Sequence, residues 1–369
     1  MNSPLRETPL HSRHVALGAK TADFGGWDMP IEYAGVLVEH EAVRTAAGVF
    51  DVSHMGKVRI HGPGAVAFLN SVLTNDLARI GDGQAQYTML CNEFGGVVDD
   101  LIVYRWSDDE VFMVPNASNA PIVVAALRAA APAGVSIDDH HDDHGIIAVQ
   151  GPGSRAALEA LGLPADHDYM TMVSASHRGE PVIVCRSGYT GELGFELVVP
   201  VIILGSVWDA LLEKGAPLGV VPVGLGARDT LRLEMGYPLH GQDIAQDITP
   251  VEAGLGWAVG WDKPGFDGRE ALVRQREQGP RRRLRGLVSI ERGIPRAHMH
   301  VHASGDAGLA GPVVGDITSG TYSPTLKQGI ALALLDADIE VGSEVLVDVR
   351  GKAIRFAVSK PPFVPSSVR

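Results

Sequence analysis

The strongest constraint on the fold is a half-hidden repeat. "VRIHGPGAVAFLNSVL" begins at Val58 and "IIAVQGPGSRAALEALG" at Ile146. Each runs from a short apolar strand through Gly-Pro-Gly into a helical pattern. Ala65, Phe68, Leu69 and Val72 fall on one helix face, as do Ala157, Leu158 and Leu161. Pro63 and Pro152 fall where a first helical residue would stand, a place where proline forfeits no hydrogen bond. Strands are expected over 83–104 and 110–115 after the first copy, and over 181–186 and 193–199 after the second. Further helices are expected over 36–47, 119–131, 204–214 and 224–235. Two related α+β subdomains would produce this pattern; so would a common strand-turn-helix used twice.

A sharp change of composition follows at "EQGPRRRLRG", residues 277–286. It reads as a turn and a solvated arginine linker into a last segment of short strands and Gly-rich turns, the pattern of a small β-barrel or jelly roll. At 369 residues the chain is too long for one ordinary core. The expected division is 1–280 and 281–369. A 45% hydrophobic, 20% charged composition can bury a sizeable core, and a net charge of −13 argues against a dominant nucleic-acid surface. Cys91 and Cys185 make neither a disulfide nor a metal pattern, which suits a reducing cytosol. No apolar run approaches the ~20 residues that span a bilayer. The opening "MNSPLRETPLHSRHVALG" has no apolar core of a signal peptide, so a cytoplasmic location is expected.

The chemistry concentrates in "CNEFGGVVDDLIVYR". Asp99 and Asp100 stand inside a strand that is otherwise apolar. Side chains alternate along a strand, so Asp99 shares a face with Leu101 and Val103, and Asp100 with Ile102 and Tyr104. At least one carboxylate must border a greasy pocket. "DDHHDDH" (138–144) has metal-ligand residue types but reads as an exposed loop. "HMHVH" places His298, His300 and His302 on one strand face, with no carboxylate inside the run to orient them. No metal site is expected. "GLGARD" lacks the third glycine and the preceding strand of a dinucleotide site. Tyr189 and Glu196 in "SGYTGELGFELVVP", and Arg228, Arg232 and Glu234 in "GLGARDTLRLE", are polar residues in apolar or Gly-rich settings. Buried charge is costly unless paired. These residues therefore form either ion pairs between domains or a pocket for a flat heterocycle rich in donors and acceptors.

The chain resembles the T-protein family of the glycine cleavage system, tetrahydrofolate-dependent aminomethyltransferases. The resemblance runs nearly end to end, through "TPLHSRHVALGAKTADFGGWDMP", "GVFDVSHMG", "LTNDL", "CNEFGGVVDDLIVYR", "SGYTGELGFE", "GLGARDTLRLE", "GQDI", "PVEAGLGW" and "ITSGTYSPTLKQGIALAL". It implies a clover-like ring of two interleaved α+β domains and a C-terminal β-barrel, with tetrahydrofolate in a central channel. It implies Asp100 as the essential acid and Met55, Tyr87, Asn116, Tyr189, Glu196, Arg228 and Arg369 as folate-site positions, with Glu196 on the pterin edge. Leu193 departs from the usual Asp or Asn of the motif, where it could weaken a turn hydrogen bond. The implied donor is the aminomethylated dihydrolipoyl arm of a carrier, the lipoylated H-protein, docked transiently; the products are methylene-tetrahydrofolate, ammonia and the dithiol. A folate-dependent demethylase or methyltransferase acting on a small methylated molecule would share the pocket and stands as the alternative. A folate module of a flavoenzyme would need a dinucleotide fingerprint. An iron–sulfur maturation relative would need a cysteine where "GYPLHGQDI" has none.

Overall fold

The computed structural model describes residues 4–368. The chain begins with helix α1 (His11–Ala16), a hairpin of β1 (Lys20–Phe24) and β2 (Trp27–Glu32), helix α2 (Val36–Thr45) and strand β3 (Ala47–Asp51). A first unit follows: β4 (Val58–His61), α3 (Ala65–Val72), β5 (Ala85–Cys91), β6 (Val97–Ser107), β7 (Glu110–Val114), α4 (Ala120–Ala130) and β8 (Ser136–Asp139). A second unit repeats that order: β9 (His144–Gln150), α5 (Ser154–Ala160), β10 (Met172–His177), β11 (Glu180–Cys185), β12 (Gly194–Pro200), α6 (Val201–Gly215) and β13 (Val220–Pro222). The sheets are ordered β5-β6-β7-β4-β8 and β10-β11-β12-β9-β3-β13. Strand for strand this is one topology twice, with β3 inserted between β9 and β13. Because β3 precedes the first unit but pairs in the second sheet, the two α+β domains are interleaved in sequence.

Each sheet turns one face to its own helices. Ile60, Leu101 and Val103 pack with Phe68, Leu69, Val123 and Leu127 in the first domain. Val149, Phe195 and Leu197 pack with Leu158, Trp208 and Leu211 in the second. The opposite faces meet through Phe50, Tyr104, Phe112, Ile146 and Val198, joined by Ala227 and Leu231 of α7 (Leu225–Glu234). Each fully buried side chain of this size contributes roughly 1.5–3 kcal/mol, so the layer between the sheets is an energetic unit, and the site lies at its end.

Helix α8 (Arg269–Gln278) leads into six strands: β14 (Arg282–Ser289), β15 (His300–Ala303), β16 (Val313–Ser323), β17 (Gln328–Asp336), β18 (Glu344–Val349) and β19 (Lys352–Ser359). They close into a barrel in the order β14-β17-β16-β15-β18-β19 around Leu287, Val301, Ile317, Leu335 and Phe356. Among the described residues no helix is long and apolar enough to cross a membrane.

Several local expectations are corrected. The arginine run is a strand, not a linker: Arg282 through Arg285 pair with Asp336 through Ala333 of β17. The Arg282 guanidinium bonds Glu252 at 3.1 Å and the Asp247 carbonyl at 3.0 Å. Pro63 and Pro152 sit in the turns, because α3 and α5 start only at Ala65 and Ser154 and Gly64 holds φ +82°. Helix α6 starts at Val201, directly after Pro200, and not at 204. His298 lies outside β15 at φ +68°, and a register shift separates Val301 from His302. The three histidines therefore do not share a strand face; His300 bonds Asp316 and His302 the Gly311 carbonyl. In the 138–144 run, His140 pairs with Asp143, and His141 packs on Trp27.

The turn that launches β6 is tightly enclosed. Asn92 Oδ1 accepts from the Phe94 and Gly96 amides, and the Val97 amide is within reach of the Ala245 and Ile248 carbonyls. A Cβ on Gly96 would stand 1.8 Å from the Gln246 carbonyl oxygen, so backbone would have to move. Gly96→Ala is expected to cost about 1–3 kcal/mol of stability, the scale of overpacking. An unchanged thermal midpoint would show that the 244–248 segment yields freely.

Candidate active site

Two cavities meet at the inner end of β6. The smaller, ≈ 360 Å³, is bordered by Met55, Tyr87, Asp100, Asn116, Tyr189, Glu196 and Arg228. The larger, ≈ 720 Å³, extends past Tyr169 and Tyr237 to Trp257, Arg285 and Lys360. They share Tyr87, Asp100, Ile102, Gly188, Tyr189 and Pro238. Asp100 thus borders both cavities. The structure gathers every site position inferred from sequence except Arg369, which lies outside the described residues.

The strand pleat decides which acid faces the cavities. Asp100 lies on the inter-sheet face with Ile102 and Tyr104; Asp99 lies on the helix face and is fully buried. Asp100 Oδ2 accepts from the Tyr87 hydroxyl at 3.0 Å, and Oδ1 accepts from Asn116 Nδ2 at 2.8 Å. Burial pushes the Asp100 carboxyl above its ordinary range, against the hydrogen bonds of Tyr87 and Asn116. Asp99 accepts from the Asn116 backbone amide at 3.0 Å, Asn116 Nδ2 at 2.9 Å and Asn119 Nδ2 at 2.7 Å, just before α4. Burial and then the neighbouring Asp100 charge push Asp99 up to about 8, although these amides favour its anion. Its partners are asparagines, not the arginine that buried carboxylates often take.

The far end of the smaller cavity holds a carboxylate and a guanidinium that feel each other's charge without a close ion pair among the described residues. Glu196 Oε2 accepts from Ser187 Oγ at 2.5 Å, and among the described residues neither Glu196 nor Arg228 forms an ion pair within 4.0 Å. The Arg228 guanidinium lies 4.8 Å over the Tyr189 ring, and its Nη1 is buried with no hydrogen-bond partner. Burial lowers the Arg228 pKa. Arg232 and Glu234, from the same helix, behave oppositely. Arg232 is spent on Asp243 at 2.7 Å, Asp229 and Ser319. Glu234 is spent on Arg44 at 2.7 Å, Ser323 and Thr325. Both readings of the charged residues are therefore realised: Arg232 and Glu234 tie elements together, whereas Asp100, Glu196 and Arg228 face a cavity. A carboxylate and a guanidinium without a close ion pair among the described residues, beside aromatic rings, suit a flat ligand with donor and acceptor edges.

Sequence reasoning overlooked His54, His240 and Trp257. Trp257 is 64% exposed and stacks on Tyr87 at 5.5 Å between ring centroids. An isolated aromatic in a Gly-rich stretch gave no periodic signal. Leu193 acts through its backbone carbonyl, which accepts from the Gly151 amide and the Ser154 hydroxyl, so the turn is held without an Asp or Asn side chain.

The doubled α+β unit and closed barrel define a two-part fold class. The GCVT N-terminal domain profile matches residues 10–263, and the glycine cleavage T-protein C-terminal barrel domain profile matches residues 282–365. The chain is 59% identical over 367 residues to an aminomethyltransferase of Parafrankia sp. (strain EAN1pec), covering 99% of both. It is 55% identical over 363 residues to that of Mycobacterium tuberculosis (strain ATCC 25618 / H37Rv), covering 98% of this chain and 97% of the relative. The crystal structure of glycine cleavage system aminomethyltransferase T from Bartonella henselae matches with a TM-score of 0.92 at 36% identity, covering 98% of this chain and 99% of that one. The chain belongs to the T-protein family of the glycine cleavage system and is an aminomethyltransferase.

Proposed function

We propose that these cavities bind tetrahydrofolate and that Asp100, which borders both, serves the transfer. The donor is an aminomethyl group on the dihydrolipoyl arm of the carrier H-protein. The carbon leaves sulfur and amine and gains two bonds to folate nitrogens; the folate N–H protons end on the departing thiolate and amine. Glu196 accepts paired N–H bonds from the amino-pyrimidine edge, and Arg228 donates to an acceptor on the same ligand. Met55 and Ile102 contribute apolar wall. Residues 1–280 supply the reacting end, and the barrel domain, 281–369, lines the larger cavity through Leu284, Arg285 and Leu332.

The observation that carries this reading is the place of Asp100: an anion-forming group with an elevated pKa, fixed by Tyr87 and Asn116, on the border of two cavities. Such a carboxylate can orient an attacking N–H, stabilise positive charge at the transferring carbon and relay protons. The apolar surround strengthens these interactions and excludes water from a hydrolysable carbon centre. A small methylated donor would use the same folate wall, so the assay that separates the two is turnover with aminomethylated carrier against methylated small molecules.

Glu196 has a binding task in this scheme. Glu196→Gln keeps one acceptor and adds a competing donor. Reduced-folate affinity measured by calorimetry is expected to fall by about 1–3 kcal/mol, the cost of an unsatisfied buried polar contact, with turnover at saturating folate less affected. Unchanged affinity with lost turnover would reverse the assignment.

A further inference from the structure

Behind Asp100 a chain of amides and one imidazole leads to a residue that the scheme above does not use. Asn116 Nδ2 reaches Asp100 Oδ1, the Asp100 carbonyl at 2.7 Å and Asp99 Oδ1 at 2.9 Å. Asp99 Oδ1 also accepts from Asn119 Nδ2 at 2.7 Å. The same Asn119 nitrogen lies 3.0 Å from His240 Nδ1, and His240 Nε2 lies 3.0 Å from the Val97 carbonyl. A carbonyl only accepts, so Nε2 carries the ring hydrogen and Nδ1 accepts from Asn119. The imidazole borders the smaller cavity, yet both its nitrogens are engaged by protein. It has no polar atom left for a substrate.

We propose that His240 is a positioning residue: it fixes the Asn119 amide, and through Asp99 and Asn116 it fixes the orientation of the Asp100 carboxylate. Asn119 spends one N–H on Asp99 and the other on His240. Without the Nδ1 acceptor that second N–H is left buried and unpaired. The amide can relieve this by rotating, which turns its oxygen toward the Asp99 carboxylate and repels it. Asp99 and Asp100 share the Asn116 amide, so a displaced Asp99 draws Asn116 off Asp100. The loop also grips both polar groups of Val97: His240 takes its carbonyl, and Ala245 and Ile248 take its amide. The first residue of the Asp100 strand and the Asp99 side chain are thus referenced to one segment.

The inference rests on the role of Asp100 proposed above, and the test keeps the two apart. His240→Leu removes both polar contacts at similar bulk. His240→Asn returns an amide oxygen near Nδ1, and His240→Gln sets its amide N–H₂ near Nε2, facing the Val97 carbonyl, and leaves the Nδ1 position without an acceptor. Turnover with aminomethylated carrier, reduced-folate affinity and thermal midpoint are measured for these variants, Asn119→Ala, the His240→Leu/Asn119→Ala double variant and Asp100→Asn. His240→Leu and His240→Gln are expected to lose about 10–100-fold in kcat, the scale of a misplaced catalytic group. Folate affinity should stay within about threefold, His240→Asn should recover most of the loss, and the double variant should be no slower than His240→Leu alone. His240→Gln against His240→Asn decides the matter if His240→Leu does not fold. Equal kcat in those two variants, a wild-type kcat with only a lowered thermal midpoint, or multiplicative losses in the double variant would overturn the inference. A slow Asp100→Asn beside a fast His240→Gln overturns this inference alone; Asp100→Asn at the wild-type rate overturns the reading beneath it.

Discussion

Asp100→Asn is expected to lower turnover by roughly 10²–10⁴-fold, or about 2.7–5.4 kcal/mol of transition-state stabilisation, while reduced folate still binds. The substitution keeps the shape of the side chain and removes its charge and its capacity to take a proton. It also sets an amide N–H₂ against a site that now receives donors from both sides, Tyr87 and Asn116, so the new group cannot satisfy both. The wild-type pH profile supplies a second check. Burial raises the Asp100 carboxyl, so as pH falls the carboxylate is protonated earlier than an ordinary aspartate. The acid limb of kcat should therefore lie above the usual carboxylate range and should vanish in Asp100→Asn. A variant with equal turnover, or one that loses folate binding and rate in the same proportion, would place the acid chemistry elsewhere.

Glu234→Ala is expected to destabilise the fold by about 3–5 kcal/mol, the cost of breaking a buried charge cluster. The carboxylate is 0% exposed and accepts from Arg44 of α2, from Ser323 at 2.5 Å, and from the Thr325 amide and hydroxyl beyond β16. Removing it takes one of two carboxylates from the Arg44 guanidinium, which keeps Glu192 at 2.9 Å, and leaves several donors unpaired where the α+β domains meet the barrel. Exposed pairs give the contrast: Glu110→Ala, which breaks the Arg59 bond at 2.8 Å on the surface, should cost about 0–1 kcal/mol. Burial pushes the Glu234 carboxyl up, but His40, Ser323 and Arg44 outweigh it and hold it down to about 2. A depressed carboxyl contributes stability that is fully present above its unfolded value, near 4.5, and is lost as pH falls toward about 2. Part of the acid limb of the unfolding curve should disappear in Glu234→Ala. Equal destabilisation by the buried and exposed substitutions would remove the cluster from the account.

Much of this architecture was legible because it rests on periodic signals. The apolar spacing of Ala65, Phe68, Leu69 and Val72 marked α3, and the alternation after Asp99 separated the two acids by face. The repeated Gly-Pro-Gly marked the doubled unit. The arginine run was misread because charge in sequence does not show whether a run pairs into a sheet. The relay behind Asp100 had no sequence signal at all: Asn119 and His240 are 121 residues apart, and only the packing of the 238–248 loop on β6 joins them. Nor could the sequence tell which charge on α7 is held in an ion pair. Arg228 and Arg232 stand one turn apart, and only the contacts show that Asp243 pairs with the second, whereas the first lies over the Tyr189 ring and its Nη1 has no hydrogen-bond partner among the described residues.

The most direct measurement is the structure of the chain bound to tetrahydrofolate. The account predicts the amino-pyrimidine edge on Glu196, Arg228 donating to the same ring system, and the reacting nitrogens within hydrogen-bond reach of Asp100. A folate seated outside these cavities, or one that turns its reacting nitrogens away from Asp100, would contradict it.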